Sequence, residues 1–229
     1  VALGGMFILS VNEFDLSLGY IVTFSMVAGA KVAEVGGNTA LVLLTILAAG
    51  TICGFLNGLF VVKLNISAFI VTLSMGMSVL GLAQALSGGA RLNKNIPRLL
   101  TVFSQGKWGD LGYCVVFWLI LCLIMYYVFN HTTFGRQIYA IGSSKQAAFL
   151  AGIKTDQVRI LCFTLAGFFA SIGAAILFGQ LGAASSAYGH TLLLPAYSMV
   201  FLSKTSFVPG TFNILGLVLS ILFVGIGSN

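Results

Sequence analysis

Long apolar runs without a charged residue dominate the chain, and the apolar side chains in each run fall on every face of a helix. Several runs reach the roughly 20 residues with which an α-helix crosses a bilayer. These runs are Thr39 to Val62, Leu64 to Ala90, Leu111 to Asn130, Ile160 to Gly189 and Thr205 to Asn229. Strands of a membrane barrel would instead alternate apolar and polar residues over segments of about ten. The pattern predicts an all-α membrane protein, a polytopic transmembrane helix bundle that forms one domain over residues 1–229.

The chain opens with two shorter apolar pieces, Val1 to Val11 and Leu16 to Ala30, on either side of the polar residues Asn12 to Asp15. Each piece is too short to span a bilayer alone. They form either an incomplete helix followed by a short one, or one broken element. Asp15 or Ser17 is a good N-cap for the second piece. The N-termini of broken helices also face substrates in transporters, so a transport role for Asp15 stays open.

The two central runs are separated only by Lys63. The connection Lys63 to Asn65 therefore predicts either a tight antiparallel hairpin or a re-entrant segment over Ile66 to Leu73. Small residues recur at every fourth position in two of the runs, where they let helix backbones approach closely in lipid. They are Gly50, Gly54 and Gly58 in one run and Ala166, Ala170 and Ala174 in another. We expect a tightly packed bundle.

Composition supports the membrane assignment, with 59% hydrophobic residues, 7% charged residues and a mean hydropathy of +1.06. Soluble domains carry about 25% charged residues. The formal charge of +6 comes from basic residues spread through short loops, which argues against a nucleic-acid surface. The four cysteines lie inside apolar runs without metal-ligand spacing, so we interpret them as buried helix residues.

One polar segment, His131 to Arg159, is long yet has the features of an ordered structure. Ser143 or Ser144 is placed to cap a short helix that begins near Lys145, and Gly152 is placed to end it. Such a helix suits docking on a soluble partner, because charged side chains can pair across an interface while two apolar ones fill a cleft. The charged residues are Arg136, Lys145, Lys154, Asp156 and Arg159, and the apolar ones are Phe149 and Leu150. An ordinary structured loop is the alternative.

Polar residues within or beside the apolar runs are candidates for a solute path, namely Asp15, Asn57, Thr72 and Gln84. They suit a neutral hydroxylated molecule, although polar side chains in membranes also simply bond to other helices. Glu13 and Asp15 are the acids near membrane depth, so they are also the candidates for ion coupling.

Catalytic signatures are absent from the sequence. It contains no H-E-x-x-H metal site and no G-x-S-x-G elbow, and Ser203-Lys204-Thr205 lacks the preceding glycines of a P-loop. We expect a chain that is not an enzyme and that binds no cofactor, with ATP and Mg²⁺ held by another chain.

A series of short motifs follows a family pattern in order along nearly the whole chain. They are Asp15-Leu16-Ser17-Leu18-Gly19, Asn57-Gly58-Leu59, Phe69-Ile70-Val71-Thr72-Leu73 and Ser87-Gly88-Gly89. The most specific stretch joins Phe134-Gly135-Arg136, Tyr139-Ala140-Ile141-Gly142 and Ala151-Gly152-Ile153, and Gln146-Ala147-Ala148 before Gly152 is similar to the core of importer coupling helices. Together they resemble the permeases of ribose-, xylose-, arabinose- and galactose-type ABC importers, which include the autoinducer-2 permeases.

The resemblance implies that residues 131–159 form a cytoplasmic coupling loop that docks on an ATP-binding subunit. The family positions matched there are Arg136, Tyr139, Gly142, Lys145, Gln146, Ala147, Ala148 and Gly152. It also implies that the Arg91 to Asp110 loop lies outside, towards a periplasmic or extracellular solute-binding protein. Family members are longer, so we expect N- and C-terminal parts to be missing from this chain.

The function implied is import of a sugar or sugar-like solute across the bacterial cytoplasmic (inner) membrane by alternating access, driven by ATP hydrolysis in partner subunits. A permease homodimer or a paralogous heterodimer is expected. The alternative is an ion-gradient-driven secondary transporter of a small polar solute, which would need Glu13 or Asp15 to bind the ion.

Overall fold

A computed structural model of the protein describes residues 1–227, and most of them are helical. The α-helices in this part are α1 (Ala2–Ser10), α2 (Leu18–Glu34), α3 (Thr39–Lys63), α4 (Ala68–Ser87), α5 (Arg98–Gln105), α6 (Tyr113–His131), α7 (Thr133–Ser143), α8 (Lys145–Leu150), α9 (Thr155–Leu181), α10 (Leu193–Ser203) and α11 (Ile214–Gly227). A 3₁₀ turn covers Gly189–Leu192, and β1 (Lys107–Trp108) pairs antiparallel with β2 (Leu111–Gly112). Four helices, α3, α4, α6 and α9, are long and apolar enough to cross a membrane. The predicted all-α polytopic membrane fold is confirmed.

The most extensive helix contact joins α3 to α9, and it is made by backbone against backbone. A Cβ atom at Gly54 would overlap the carbonyl oxygen of Phe163, and one at Gly50 would lie 2.7 Å from the carbonyl oxygen of Gly167. On another face of α9, a Cβ at Gly4 of α1 would lie 2.8 Å from the carbonyl oxygen of Ala166. The predicted tight packing at the small-residue stripes is confirmed, and α9 is the central helix.

The chain reverses direction between α1 and α2. Helix α1 runs antiparallel to α9, since Gly4 meets Ala166 while Glu13 meets Arg159. Helix α2 runs parallel to α9, because both are antiparallel to α3. Along α2 and α3, Gly29 meets Ile46 while Ser17 meets Asn57, and along α9 and α3, Ser171 meets Gly50 while Ile160 meets Gly58. Of the two sequence alternatives for this region, the structure therefore has two separate helices joined by residues 11–17. We call these seven residues the α1–α2 break.

Helices α3 and α4 form the antiparallel hairpin that was one of the two alternatives. Helix α4 is continuous over Ala68–Ser87, and it lies parallel to α2 because Thr72 bonds to Leu16 while Gly76 contacts Tyr20. A re-entrant segment would break within this range, so the hairpin alternative fits the structure. Gly88 ends α4 in the left-handed conformation, with φ +61°.

The predicted span over Thr205 to Asn229 is wrong in its described part. The chain first turns through residues 204–213, where Pro209 precedes Gly210 at φ +91°. Helix α11 then covers only 14 residues, and Asn213 caps it by accepting from the Gly216 amide at 2.6 Å. The side-chain Nδ2 of Asn213 also donates to the Ser203 carbonyl at 3.0 Å, which ties this turn to the end of α10. Ser228 and Asn229 lie outside the described residues.

Residues 88–112 lie at the end of α6 opposite to α7. Helix α5 is fastened to the end of α9 by Gln105, whose Nε2 donates to the carbonyl of Gly179 at 3.2 Å. Lys31 bonds to Glu34 at 2.8 Å and Lys94 lies 3.6 Å from the same carboxylate, so these two lysines hold the pKa of Glu34 below its usual value. We call the end of the bundle that carries residues 88–112 the α5 end, and we call the end that carries α7 and α8 the α8 end.

Candidate functional site

The α1–α2 break is organised by a buried carboxylate. Asp15 is fully buried, and its Oδ1 accepts from the backbone amide of Ser17 at 2.8 Å and from the Ser17 hydroxyl at 2.5 Å. These bonds fold the chain into the start of α2, where the positive end of the helix dipole favours a negative group. Of the two predicted caps, Asp15 supplies the bonds, while the Ser17 side chain accepts no bond from an amide of α2.

Side chains from α3 and α4 reach the same break. Asn57 of α3 donates from Nδ2 to the Ser17 hydroxyl at 2.7 Å. Thr72 of α4 accepts from the backbone amide of Leu16 at 3.0 Å and donates its own hydroxyl to the Ala68 carbonyl at 2.8 Å. Asp15, Asn57 and Thr72 are each 0% exposed. Three of the four residues predicted for the solute path are thus brought together.

The fourth, Gln84, lies elsewhere. It is exposed near the far end of α4, and its carbonyl accepts from the amides of Gly88 and Gly89. At 1.5 Å per helical residue it stands about 18 Å along α4 from Thr72. Gln84 was predicted for the solute path, but the structure places it towards the α5 end, outside the buried cluster.

Two oxygen atoms of the cluster have no hydrogen-bond partner among the described residues. They are Oδ2 of Asp15 and Oδ1 of Asn57, both buried. Both side chains share the Ser17 hydroxyl, so their free oxygens lie within the span of one small molecule. Leaving a buried acceptor unpaired costs about 1–3 kcal/mol, so the cluster is suited to a guest that brings O–H or N–H donors.

Tyr197 of α10 closes the cluster from a further side, and nothing in the sequence motifs singles it out. Its hydroxyl donates to the Asp15 carbonyl at 2.7 Å and accepts from the Asp15 amide at 3.1 Å. The phenol ring also packs beside Phe14, with ring centroids 6.4 Å apart. One side chain therefore satisfies both backbone groups of Asp15 in a place where no helix partner is available.

The remaining charge in the break is paired within the protein. Glu13 accepts from Nε of Arg159 at 2.9 Å and forms an ion pair with the same guanidinium. The Arg159 side chain is only 8% exposed. The expectation that Arg159 is exposed for docking is wrong, because it lies in the second turn of α9 and faces the break. The sequence signal that could have indicated this ion pair is the opposite charge of Glu13 and Arg159, each of which lies beside an apolar run.

The polar segment over residues 131–159 is ordered as predicted. Thr132 caps α7 by accepting from the Gly135 amide at 3.2 Å, and Ser144 caps α8 by accepting from the Ala147 amide at 3.2 Å. Gly152 ends α8 at φ +83°, and the next amide, that of Ile153, returns to the Ala148 carbonyl at 3.1 Å. The predicted short helix with a serine cap and a glycine stop is confirmed.

The eight residues predicted for coupling do not share one surface. Those that face outward are Arg136, Lys145, Gln146, Ala147 and Gly152. Tyr139 instead donates to the Phe212 carbonyl at 2.7 Å, Ala148 is buried, and Gly142 lies against the Ser10 carbonyl. Phe149 and Leu150, at 66% and 79% exposed, add an apolar patch beside the outward-facing residues.

Comparison with known proteins covers the whole chain. A ribose import permease of Escherichia coli (strain K12) is 28% identical over 100% of this chain and 72% of its own length. A fructose import permease of Rhizobium meliloti is 30% identical over 93% of this chain and 62% of its own length. An autoinducer 2 import system permease of Photorhabdus luminescens is 29% identical over 98% of this chain and 67% of its own length. No solved structure matches the chain.

These relatives confirm the resemblance found in the motifs and do not favour the ion-gradient alternative. Several apolar helices of spanning length in the described residues make the chain a multi-pass membrane protein. The family described as "Branched-chain amino acid transport system / permease component" matches residues 1–229. The protein belongs to this family of transport permeases.

Proposed function

We propose that the chain is the permease subunit of a binding-protein-dependent ABC importer, and that it moves a neutral sugar or sugar-like solute across the bacterial cytoplasmic membrane. The observation that carries this proposal is the similarity of the whole chain to ribose import permeases. Transport proceeds by alternating access, in which ATP binding in partner subunits stabilises one state of the bundle over the other.

The buried cluster in the α1–α2 break supports the choice of solute. Its free groups, Oδ2 of Asp15 and Oδ1 of Asn57, accept hydrogen bonds, and the hydroxyl groups of a sugar supply donors. A solute that carries a carboxylate would be repelled by the Asp15 carboxylate at this depth. Since the cluster is fully buried here, the bundle must open before a solute reaches it.

The partners follow from the division of labour. This chain hydrolyses no ATP and holds no cofactor, and ATP with Mg²⁺ is bound by a separate ATP-binding subunit. That subunit docks on the outward face of α7 and α8, where Arg136, Lys145 and Gln146 are exposed beside Phe149 and Leu150. A periplasmic or extracellular solute-binding protein delivers the solute at the α5 end. The permease works as a homodimer or as a heterodimer with a paralogue.

Reconstituted transport tests the proposal directly. Full-length permease, ATP-binding subunit and binding protein are placed in proteoliposomes with ATP inside, and uptake of radiolabelled D-ribose, D-fructose and L-leucine is measured. ATP-dependent uptake of a sugar but not of leucine supports the proposal. Leucine uptake, or sugar uptake that an ion gradient drives without ATP, would overturn it.

The docking surface has its own test with a matched control. Charge reversals Arg136→Glu and Lys145→Glu are expected to lower capture of the ATP-binding subunit by roughly tenfold or more, since each removes an exposed cation that can pair across the interface. Lys107→Glu makes the same change at an exposed position of the α5 end and leaves capture unchanged. Equal capture by all three variants would remove the docking role of α7 and α8.

A further inference from the structure

Helix α7, which belongs to the predicted coupling loop over residues 131–159, touches the α1–α2 break directly. Gly142, near the end of α7, lies so close to the end of α1 that a Cβ atom there would overlap the carbonyl oxygen of Ser10 and lie 3.7 Å from Cα of Val11. No side chain stands between the two backbones, so a displacement of α7 meets the break without an intermediate that could absorb it.

A second contact joins the segment that follows α8 to the same break. Arg159 lies near the start of α9, just after α8, and its ion pair with Glu13 is shielded from water, with side chains 8% and 19% exposed. Removing one partner of such a pair leaves an uncompensated charge, so the two residues stay together when either element moves. The break is therefore held at Val11, next to Ser10 of α1, and at Glu13 by structures on either side of α8.

A cavity of about 260 Å³ lies next to the first contact, and its walls include Asn12, Tyr139, Gly142, Lys204 and Phe212. Because this space is unfilled by protein, α7 and the break can shift together relative to the turn before α11 without unpacking the core. The opposite side of the same break carries Asp15, Leu16 and Ser17, which bond to Tyr197, Thr72 and Asn57.

We propose that the α1–α2 break is the element that transmits movement of α7 and α8 to the buried polar cluster, and that Glu13 and Arg159 are positioning residues for transport. This inference rests on the proposed importer function. Movement of the docked segment enters the break at Val11, next to Ser10, and at Glu13. It leaves as a change in the bonds that Asp15 and Leu16 make to α10 and α4. Docking and transmission are thus carried by different residues.

The test measures how many solute molecules are moved for each ATP hydrolysed. It uses the complete transporter in proteoliposomes and the radiolabelled sugar that the wild type takes up. Glu13→Gln and Arg159→Gln are expected to lower uptake per ATP by about tenfold while capture of the ATP-binding subunit is unchanged. The charge-swapped double variant Glu13→Arg/Arg159→Glu restores uptake per ATP to within about threefold of wild type.

The matched control is Lys63→Gln, which removes an exposed charge at the end of α3 and leaves uptake per ATP unchanged. Single variants with the wild-type ratio, or a folded double variant that shows no recovery, would overturn the transmission role. A wild type that takes up no sugar would instead overturn the proposed function, so the two failures are distinct.

A cross-link keeps the inference testable if the charge variants fail to fold. Asn12 and Ser143 are both exposed and border the same cavity. With Asn12→Cys and Ser143→Cys joined by a cleavable bifunctional thiosulfonate, uptake per ATP is expected to stay within about threefold of wild type, because α7 and the break move as one. Each single cysteine variant is the control. Loss of uptake on cross-linking that returns on reduction would show that α7 and the break move against each other, and would overturn the transmission role.

Discussion

Asn57 of α3 donates a hydrogen bond to the hydroxyl of Ser17 across 40 residues of sequence, at 2.7 Å. The same hydroxyl donates to Oδ1 of Asp15. One serine therefore links the carboxylate at the start of α2 to the neighbouring helix. Loss of Asn57, Ser17 or Asp15 from this series of hydrogen bonds leaves buried polar groups unpaired.

Replacement of Asn57 by alanine is expected to lower both stability and uptake. The change leaves the Ser17 hydroxyl without its donor and opens a small cavity, at a cost of about 1–3 kcal/mol. Thermal unfolding in detergent measures the first effect and proteoliposome uptake the second. Gln84→Ala, at an exposed position apart from the cluster, stays within about 0.5 kcal/mol of wild type. Equal losses in both variants would contradict the grouping of Asn57 with Asp15.

Replacement of Tyr197 by phenylalanine removes a single oxygen atom and both of its bonds to the Asp15 backbone. Two buried backbone groups are then unsatisfied, so we expect a loss of about 2–4 kcal/mol in the free energy of unfolding. Tyr127→Phe on α6 is the control, because Tyr127 is 62% exposed. A Tyr197→Phe protein as stable as wild type would mean that the break does not depend on these two hydrogen bonds.

Alanine at Gly54 is expected to disrupt the contact between α3 and α9. Its Cβ would overlap the Phe163 carbonyl and press on Gly167, so the helices must separate, at a cost of about 1–3 kcal/mol. Gly81→Ala is the matched control on α4, where nothing lies within 4 Å of the new atom. Alanine there raises helix propensity by up to about 1 kcal/mol. Opposite signs for the two variants are the result that the packing requires.

Alanine at Gly152 is expected to weaken capture of the ATP-binding subunit. Its φ of +83° strains any side chain by about 1–2 kcal/mol, and the strain falls on the end of α8. Gly182→Ala is strained in the same way at the end of α9, since Gly182 has φ +59°. Both variants lose similar stability, but only Gly152→Ala lowers capture. A loss of capture in Gly182→Ala as well would point to general instability.

Local features of this protein are predictable from sequence because each is decided by residues close together in the chain. The short helix α8 follows from a serine cap and a glycine stop a few residues apart. The four spanning helices follow from uninterrupted apolar runs. The apolar run that begins at Thr205 is an exception to this rule. It was predicted to be a spanning helix, but Pro209, Gly210 and the Asn213 cap delay the start of the helix to Ile214.

Contacts between distant residues are not decided locally. Glu13 and Arg159 are 146 residues apart, and whether Arg159 faces water or the break depends on how α9 is rotated against α1. The same holds for Tyr197, which belongs to the cluster only because α10 packs beside it. Asp15, Asn57 and Thr72 are recognisable as polar residues in apolar surroundings, but their meeting, and the separate place of Gln84, require the structure.

The glycine contact between α3 and α9 makes these two helices one rigid unit of the bundle. Backbones that touch directly have no side-chain rotamers with which to accommodate sliding, so α3 and α9 travel together during a transport cycle. Asn57 and Arg159 belong to this unit, and because Ser17 and Glu13 bond to them, the break moves with it. We therefore expect the bonds of Thr72 and Tyr197, which join the break to α4 and α10, to be those that change when the bundle opens.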